Sequence, residues 1–402
     1  MRILMASHGY PPVLSGVTLV VQKVARAMVR RGHEVTVITA SDQKETYEHE
    51  DEGVRVFRRR GASNPWWKEA PIPFIAQKDL DEIVAETRPD IIHAHDSGLL
   101  GVQIARLNNS RRLPRVASCY FVPRFVARYL SWNDEPQEVI ENVALAYSVW
   151  LYNQFDCVVF STEAHREFFI HDGLDVPSTV ISNGVDTRRY HPGDEGVREV
   201  EARYNLPAGP RILFVSRLAR DKEIDVLIRG MRQLDGLHDA HLVLVGRGDE
   251  RQALENLRDE LGVQGCVHFL GYVPEEDLPA IYRASDLFSM MSIYEVQSIP
   301  TLQALATGLP VVAADAVALP EIVHDGVNGF LVPPRNPEAL AAAWTSVLRD
   351  PEMAARMSRE SLAIVREHAE SYTFDQYESL YRETVAASRP GSGGMPGTVP
   401  AG

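Results

Sequence analysis

The chain has 402 residues, 45% of them hydrophobic and 24% charged, an ordinary globular composition at a length beyond which one core stops growing, so two domains are expected. A formal net charge of −14 excludes wholesale binding to nucleic acid, whose phosphates such a surface would repel. Cys119, Cys157 and Cys266 lie far apart without metal-type spacing, which excludes a disulfide framework and fits core thiols in a reducing, cytoplasmic compartment.

In chain order, the opening MRILMASHGYPP reads as a first strand and not as a signal peptide. No window is long and apolar enough to cross a bilayer, so membrane contact, if any, is expected to be peripheral, at the inner face. Short β-rich runs at Ile3–Ala6, Val35–Thr39, Val54–Phe57, Ile91–Ala94, Val116–Tyr120 and Val158–Ser161 alternate with amphipathic segments, a pattern of parallel sheet with helical crossovers. The first crossover, Val17 to Arg31, places Val20, Val24, Ala27 and Met28 on one face and stops at Gly32. Between Arg106 and Trp132, Arg106, Arg111, Arg112, Arg115, Arg124 and Arg128 interleave with Tyr120, Phe121, Phe125, Tyr129 and Trp132. That surface, with Trp66 and Trp67 nearby, suits a phosphorylated or lipid-headgroup acceptor at a membrane face; a half-buried helix with solvated arginines is the competing reading.

The turn-rich string from Val180 to Arg211 carries the domain boundary, near Pro192 to Ala208. A second series follows at Ile212–Val215, Leu242–Val245, Val267–Leu270, Leu287–Met291, Val311–Ala314 and Phe330–Val332. The expected architecture is α/β: two doubly wound Rossmann-like domains, 1–195 and 209–370, facing across a cleft that holds the ligand at the strands' carboxyl ends. A terminal helix, 374–388, is expected to complete the first domain, and the Gly-, Pro- and Ser-rich residues 389–402 a disordered tail.

Candidate chemistry gathers in the second series. Arg217 and Lys222, just after its first strand, would clamp a diphosphate and neutralise charge on a leaving group. Gly246 and Gly248 form a Gly-x-Gly turn that permits close backbone approach to a nucleotide. In SIYEVQSIPTLQALATGLPVVA, Ser292 to Ala313, Pro300 suits a first helical turn and Gly308 its stop. Such a strand–loop–helix aims the N–H groups around Ser298 and Ile299 at a phosphate. Glu295 supplies an acceptor for a hydroxylated group beyond it, and Gln303 faces the same crevice. Asn183, in VISNGVD, reads equally as a turn residue or a site contact. His93 and His95, in IIHAHD, share a strand face without a third ligand, so no metal site is expected.

Glu295 with Gln303 resembles the Glu-x7-Glu signature of retaining nucleotide-sugar glycosyltransferases of family 4, with the second acid replaced, and the likeness runs over nearly the whole chain. The resemblance implies the GT-B fold and metal-independent transfer of a hexose from a nucleoside diphosphate sugar to an acceptor hydroxyl on a lipid, a lipid-linked or a small molecule. No cofactor is implied. It assigns Arg217 and Lys222 to the donor diphosphate, Glu295 to the donor sugar and Gln303 to the ribose. Gly271, Tyr272 and Val273 would flank the base, and Gly16 would lie near the phosphates and acceptor. Tyr120 stands where relatives commonly carry a His, and His95 and Asn183 fall on the acceptor side. Because Tyr120 and Gln303 both depart from the pattern, a weakly active or inactive donor-binding relative is an alternative. A two-domain nucleotide-dependent oxidoreductase is another, against which no Gly-x-Gly-x-x-Gly opens the first crossover.

Overall fold

The computed structural model describes residues 1–388 apart from 14, 44, 62–72, 74, 108–112, 124–136, 235 and 238. The expected tail, 389–402, therefore lies outside the described residues, as do Trp66, Trp67, Arg111, Arg112, Arg124, Phe125, Arg128, Tyr129 and Trp132 of the basic and aromatic stretch. The chain divides into two compact units, Met1–Ser182 with Thr373–Gly402, and Asn183–Tyr372. Each has its own doubly wound sheet.

In the first unit the strands are β1 (Arg2–Ala6), β2 (Glu34–Ala40), β3 (Tyr47–Asp51), β4 (Val54–Arg59), β5 (Ile91–Ala94), β6 (Arg115–Ser118), β7 (Cys157–Phe160) and β8 (Ser178–Val180), in the order β3-β4-β2-β1-β5-β6-β7-β8. All neighbours are parallel except β3 and β4. The crossovers are α1 (Gly16–Arg30), α2 (Gln77–Thr87), α3 (Leu99–Ala105), α4 (Gln137–Tyr152) and α5 (Glu163–His171). Helix α1 buries the expected Val20, Val24, Ala27 and Met28. Ser15 caps it: the Thr18 N–H donates to the Ser15 side chain while the Thr18 hydroxyl accepts from the Ser15 N–H. Gly32, at φ +83°, ends the turn as the sequence requires.

Two strands go beyond the expected pattern. β3 reads YEHED, three acids in five residues, with none of the branched apolar side chains that mark a strand. It forms because Glu52 and Gly53, at φ 47° and 85°, make the two-residue turn that folds it back on β4. β8 is a three-residue edge.

The second unit holds β9 (Arg211–Val215), β10 (His241–Val245), β11 (Val267–Gly271), β12 (Leu287–Met290), β13 (Val311–Ala314) and β14 (Gly329–Val332), all parallel, in the order β11-β10-β9-β12-β13-β14. Its helices are α6 (Val197–Tyr204), α7 (Ile224–Gln233), α8 (Arg251–Glu260), α9 (Leu278–Arg283), α10 (Ile299–Ala306), α11 (Pro337–Arg349) and α12 (Pro351–Ile364). Residues 183–195 pack with this unit and not with the first. Val185 pairs with Ala369 through backbone bonds to His368 and Glu370, and the buried Tyr190 meets Tyr282 edge-on. The turn-rich string from Asn183 onward thus belongs to the second unit, and the unit boundary falls between Ser182 and Asn183.

The last helix, α13 (Glu370–Ala387), lies against the first unit from Thr373 onward. Glu378 takes Arg31 at 2.8 Å and His33 at 3.1 Å, and the Tyr381 hydroxyl meets His93 Nδ1 at 2.7 Å. In both sheets the strand order reverses beside the first strand, between β1 and β5 and between β9 and β12. Ligands of doubly wound sheets bind outside the carboxyl ends of the strands flanking such a reversal.

The β3 edge is tied to α1 by Asp51, whose carboxylate accepts from the Tyr10 hydroxyl at 2.6 Å, Gln22 at 3.1 Å and Arg26 at 3.0 Å. Burial alone would raise its pKa, but the bonds from Arg26, Tyr10 and Gln22 prevail and bring it down to about 2. A carboxyl depressed on folding stabilises above its unfolded value of about 3.9 and loses that contribution as pH falls through it toward the folded value. Asp51→Asn should therefore be less stable than the parent at neutral pH and converge with it near pH ~2, read as urea midpoints of the first unit.

Candidate functional site

The reversal between β9 and β12 brings together residues far apart in sequence. Leaving β9, the chain passes Arg217 and makes a single 3-10 turn, Arg220–Lys222, while the loop after β12 carries Glu295. The Lys222 ammonium donates to Glu295 Oε1 at 2.6 Å and lies 3.1 Å from Asp221 Oδ2. Lys222 and Glu295 are each 13% exposed. Burial works against the ammonium, yet Glu295 and Asp221 outweigh it and hold its pKa above the ordinary range. Arg217 stands 63% exposed, 3.8 Å from the buried Asp221. Sequence reasoning missed Asp221, because an acid between two basic residues reads as surface charge.

Helix α10 starts beside this pair. Ser298 caps it by accepting from the Thr301 N–H, and Pro300 sits in the first turn as expected. The first N–H groups of a helix have no partner within it, so Ile299 opens a turn whose positive end faces the loop. Gln303 differs from expectation. Its Oε1, the acceptor assigned to a ribose, accepts from the Tyr282 hydroxyl of α9 at 3.0 Å. The same hydroxyl lies 3.1 Å from Pro300 O, so its single proton serves two acceptors. Tyr282 is wholly buried and its phenol is pushed well up by burial, so it remains a donor.

The two glycines of the β10 turn have a structural reason. A Cβ on Gly246, at φ +141°, would lie 1.9 Å from Ser216 O, and one on Gly248 would lie 2.2 Å from Leu218 O. What approaches them is the segment that carries Arg217. Gly271, at φ +75°, has its carbonyl bonded to the Gly246 N–H at 2.8 Å. Tyr272 is exposed with the Arg247 guanidinium 5.3 Å from its ring, and the Val273 side chain is core. Asn183 belongs to this unit, its N–H donating to Gln297 Oε1 at 2.7 Å. Gln297, which sequence reasoning passed over, so ties VISNGVD to the loop of Glu295.

The first unit presents a second cluster at the β1–β5 reversal. His93 is satisfied on both nitrogens, by Tyr381 and by Ser118 at 2.9 Å, and is structural. The His95 ring lies against it at a 40° tilt, with centroids 3.8 Å apart. Burial, with His8 adding to it, brings the His95 pKa down to about 3, so the ring is neutral. Its Nδ1 lies 3.4 Å from the Tyr120 hydroxyl, and Nε2 is buried with no partner among the described residues. Asp96 accepts from the Gly98 N–H at 2.7 Å with one oxygen, and the other is likewise buried and unpaired. Such atoms call for hydrogen-bonding partners beyond the described residues. Tyr120 is half-buried, its phenol pushed well up by burial and by Tyr377. Gly16 opens α1, and a Cβ there would meet nothing within 4 Å. Among the described residues no group of three His, Cys, Asp or Glu is placed to hold a metal ion.

The glycines provide a direct contrast. Gly246→Ala should lower stability by ~2 kcal/mol or more, whereas Gly16→Ala should melt with the parent and lose affinity only for a ligand that reaches the start of α1. Thermal unfolding with and without nucleotide measures both.

Residues 14–189 match the family model described as Glycosyltransferase Family 4, and residues 199–362 the one described as Glycosyl transferases group 1. An uncharacterised glycosyltransferase of Methanocaldococcus jannaschii is 31% identical over 369 residues, covering 87% of this chain and 90% of that one. A D-inositol 3-phosphate glycosyltransferase of Saccharomonospora viridis is 31% identical over 318 residues, 75% of this chain and 71% of the relative. Among solved structures, sucrose-phosphate synthase from Thermosynechococcus elongatus superimposes with TM-score 0.81 at 23% identity, covering 96% of this chain and 100% of that one. HepE of Anabaena, crystallised in complex with UDP, gives 0.76 at 22%, covering 95% and 100%. Two Rossmann-like domains with parallel sheets are common to these folds, and the oxidoreductase alternative falls away.

Proposed function

From the premise that the chain belongs to glycosyltransferase family 4, a retaining and metal-independent family that transfers glycosyl groups from nucleotide sugars, we propose that it moves a hexosyl group from a nucleoside diphosphate hexose to an acceptor hydroxyl with retention. The observation that carries this reading is the Lys222–Glu295 pair at the β9–β12 reversal, with Arg217 exposed beside it.

Cleaving the sugar–phosphate bond leaves negative charge on the departing diphosphate. Lys222, Arg217 and the first turn of α10 stabilise that charge where it develops. Glu295, its own charge matched by Lys222, accepts hydrogen bonds from donor-sugar hydroxyls. Gln303 addresses the ribose beside the Tyr282 hydroxyl that its carbonyl accepts from. In the first unit, His95 Nε2 and Asp96 Oδ2 receive the acceptor, with Tyr120 behind His95 as a hydrogen-bonding group. A neutral imidazole and a carboxylate suit a polyhydroxylated acceptor. UDP is the first nucleotide to test, because a similarly folded protein is seen with it. A GDP-mannose-dependent mannosyltransferase of Mycolicibacterium smegmatis, 29% identical over 88% of this chain, makes GDP the second.

Product formation from UDP- and GDP-hexoses in the presence of chelator is the direct test, and no turnover with any donor would favour the weakly active alternative. Arg217→Ala should lower transfer by ~10²-fold or more with unchanged melting, since the side chain is largely exposed. Lys222→Ala should lower both, with a stability loss of ~3 kcal/mol, because it leaves Asp221 and Glu295 without their shared cation.

Gln303→Glu should bind nucleotide more tightly, by about tenfold, since one carboxylate oxygen keeps the Tyr282 hydroxyl and the other becomes a charged acceptor for ribose. Calorimetry with UDP measures it. Weaker binding in that variant would show that the amide N–H groups are the ones the ligand uses.

A further inference from the structure

The turn that carries Lys222 is held from a second side. Six residues other than glycine take a left-handed backbone among the described residues, and two of them, Glu223 at φ 47° and Arg335 at φ 58°, bond to each other. Arg335 Nε donates to Glu223 Oε2 at 3.3 Å and Nη2 donates to Oε1 at 3.0 Å. Such a backbone is costly for a residue with a Cβ and persists where its surroundings over-determine it. The surroundings here are two packed helices. Glu223 leads into α7, and Arg335 stands just before α11, whose cap Asn336 accepts from the Ala339 N–H at 2.9 Å. A Cβ on Gly230 of α7 would lie 2.9 Å from the Trp344 ring of α11, so the two helices hold their starts at a fixed separation.

Charge gives this pair more than a fastening role. From Asp221 to Asp225 the chain has three acids and one cation, Lys222, which is already engaged by Asp221 and Glu295. Glu223 is buried, and its charge is felt along the turn: with burial, it pushes the Asp225 carboxyl up. Arg335 answers that charge with both arms of its fork, and Glu223 in turn holds the guanidinium above its ordinary range. We propose that Arg335 is a positioning residue for the anion-binding end of the site: by matching Glu223 it keeps that carboxylate from drawing Lys222 off Glu295 and from repelling an entering anion. That the anion is a donor diphosphate rests on the transfer reading.

Calorimetry of the full chain with inorganic pyrophosphate tests it. Arg335→Gln should weaken pyrophosphate binding by about tenfold, because a buried acid beside Lys222 loses its counter-ion. The Arg335 side chain is 60% exposed, so the variant should still unfold as one cooperative transition. Adding Glu223→Gln to it should return the affinity to within about threefold of the parent, since no unmatched acid remains. A fastening role alone would leave the double variant as weak as the single one, the ion pair being lost from both. Arg335→Lys, which keeps the charge without the fork, should also stay within about threefold. Parent-like binding by Arg335→Gln, a double variant no better than the single one, or no pyrophosphate binding by the parent would overturn the proposal. Pyrophosphate binding by the parent without turnover of any nucleotide sugar would instead count against the transfer reading alone.

Discussion

A buried ammonium is the constraint around which the second unit's site is arranged. Taking an amine out of water costs several kcal/mol unless opposite charge meets it, and Lys222 is met by two carboxylates. One, Asp221, is its own chain neighbour; the other, Glu295, arrives from the loop after β12. The ion pair therefore fastens two loops across the point where the sheet reverses. Ser292 reinforces the join by donating to Asp221 O at 3.0 Å, and Gln297 ties in the strand-exit segment at Asn183. With Lys222 already matched, Arg217 is the solvated cation of the set, 63% exposed.

The first unit solves the opposite problem, keeping imidazoles uncharged. His93 and His95 alternate along β5 and its end so that both rings fall on one side and meet at a 40° tilt. His93 is sealed by Ser118 and Tyr381, which makes it part of the joint between sheet and last helix. His95 Nε2 and one Asp96 oxygen are buried without a partner among the described residues. Identical side chains two residues apart thus differ in what the neighbouring elements supply to them.

Much of this was legible in the sequence. Parallel strands covered on both faces must be continuous apolar runs, so all six strands of the second unit and six of the first stand out, and α1 shows both its buried face and its stop. The charged β3 is invisible to that logic because a turn, not burial, creates it. Turn-forming residues marked the stretch from Val180 to Arg211 as a boundary, yet composition does not reveal that Val185 and Tyr190 dock on the second core. Positions within motifs were clear while their partners were not. The Lys222–Glu295 pair spans 73 residues, Gln303 meets a tyrosine 21 residues upstream, and Gly246 is obliged by the backbone of Ser216. Spacing within one segment cannot report contacts made by folding several together.

The last helix carries a consequence for biosynthesis. Tyr381 follows His93 by 288 residues, and Glu378 follows Arg31 by 347. Translation at ~5–20 residues per second separates the emergence of such partners by roughly 15 s to a minute, during which the second unit is made in full. The amino-terminal sheet thus leaves the ribosome early but stays without the covering for His93 until Tyr381 has been made. A nascent chain halted before Tyr381 would expose that imidazole and the apolar surface around it, which gives cellular chaperones a defined interval, and a defined surface, on which to act.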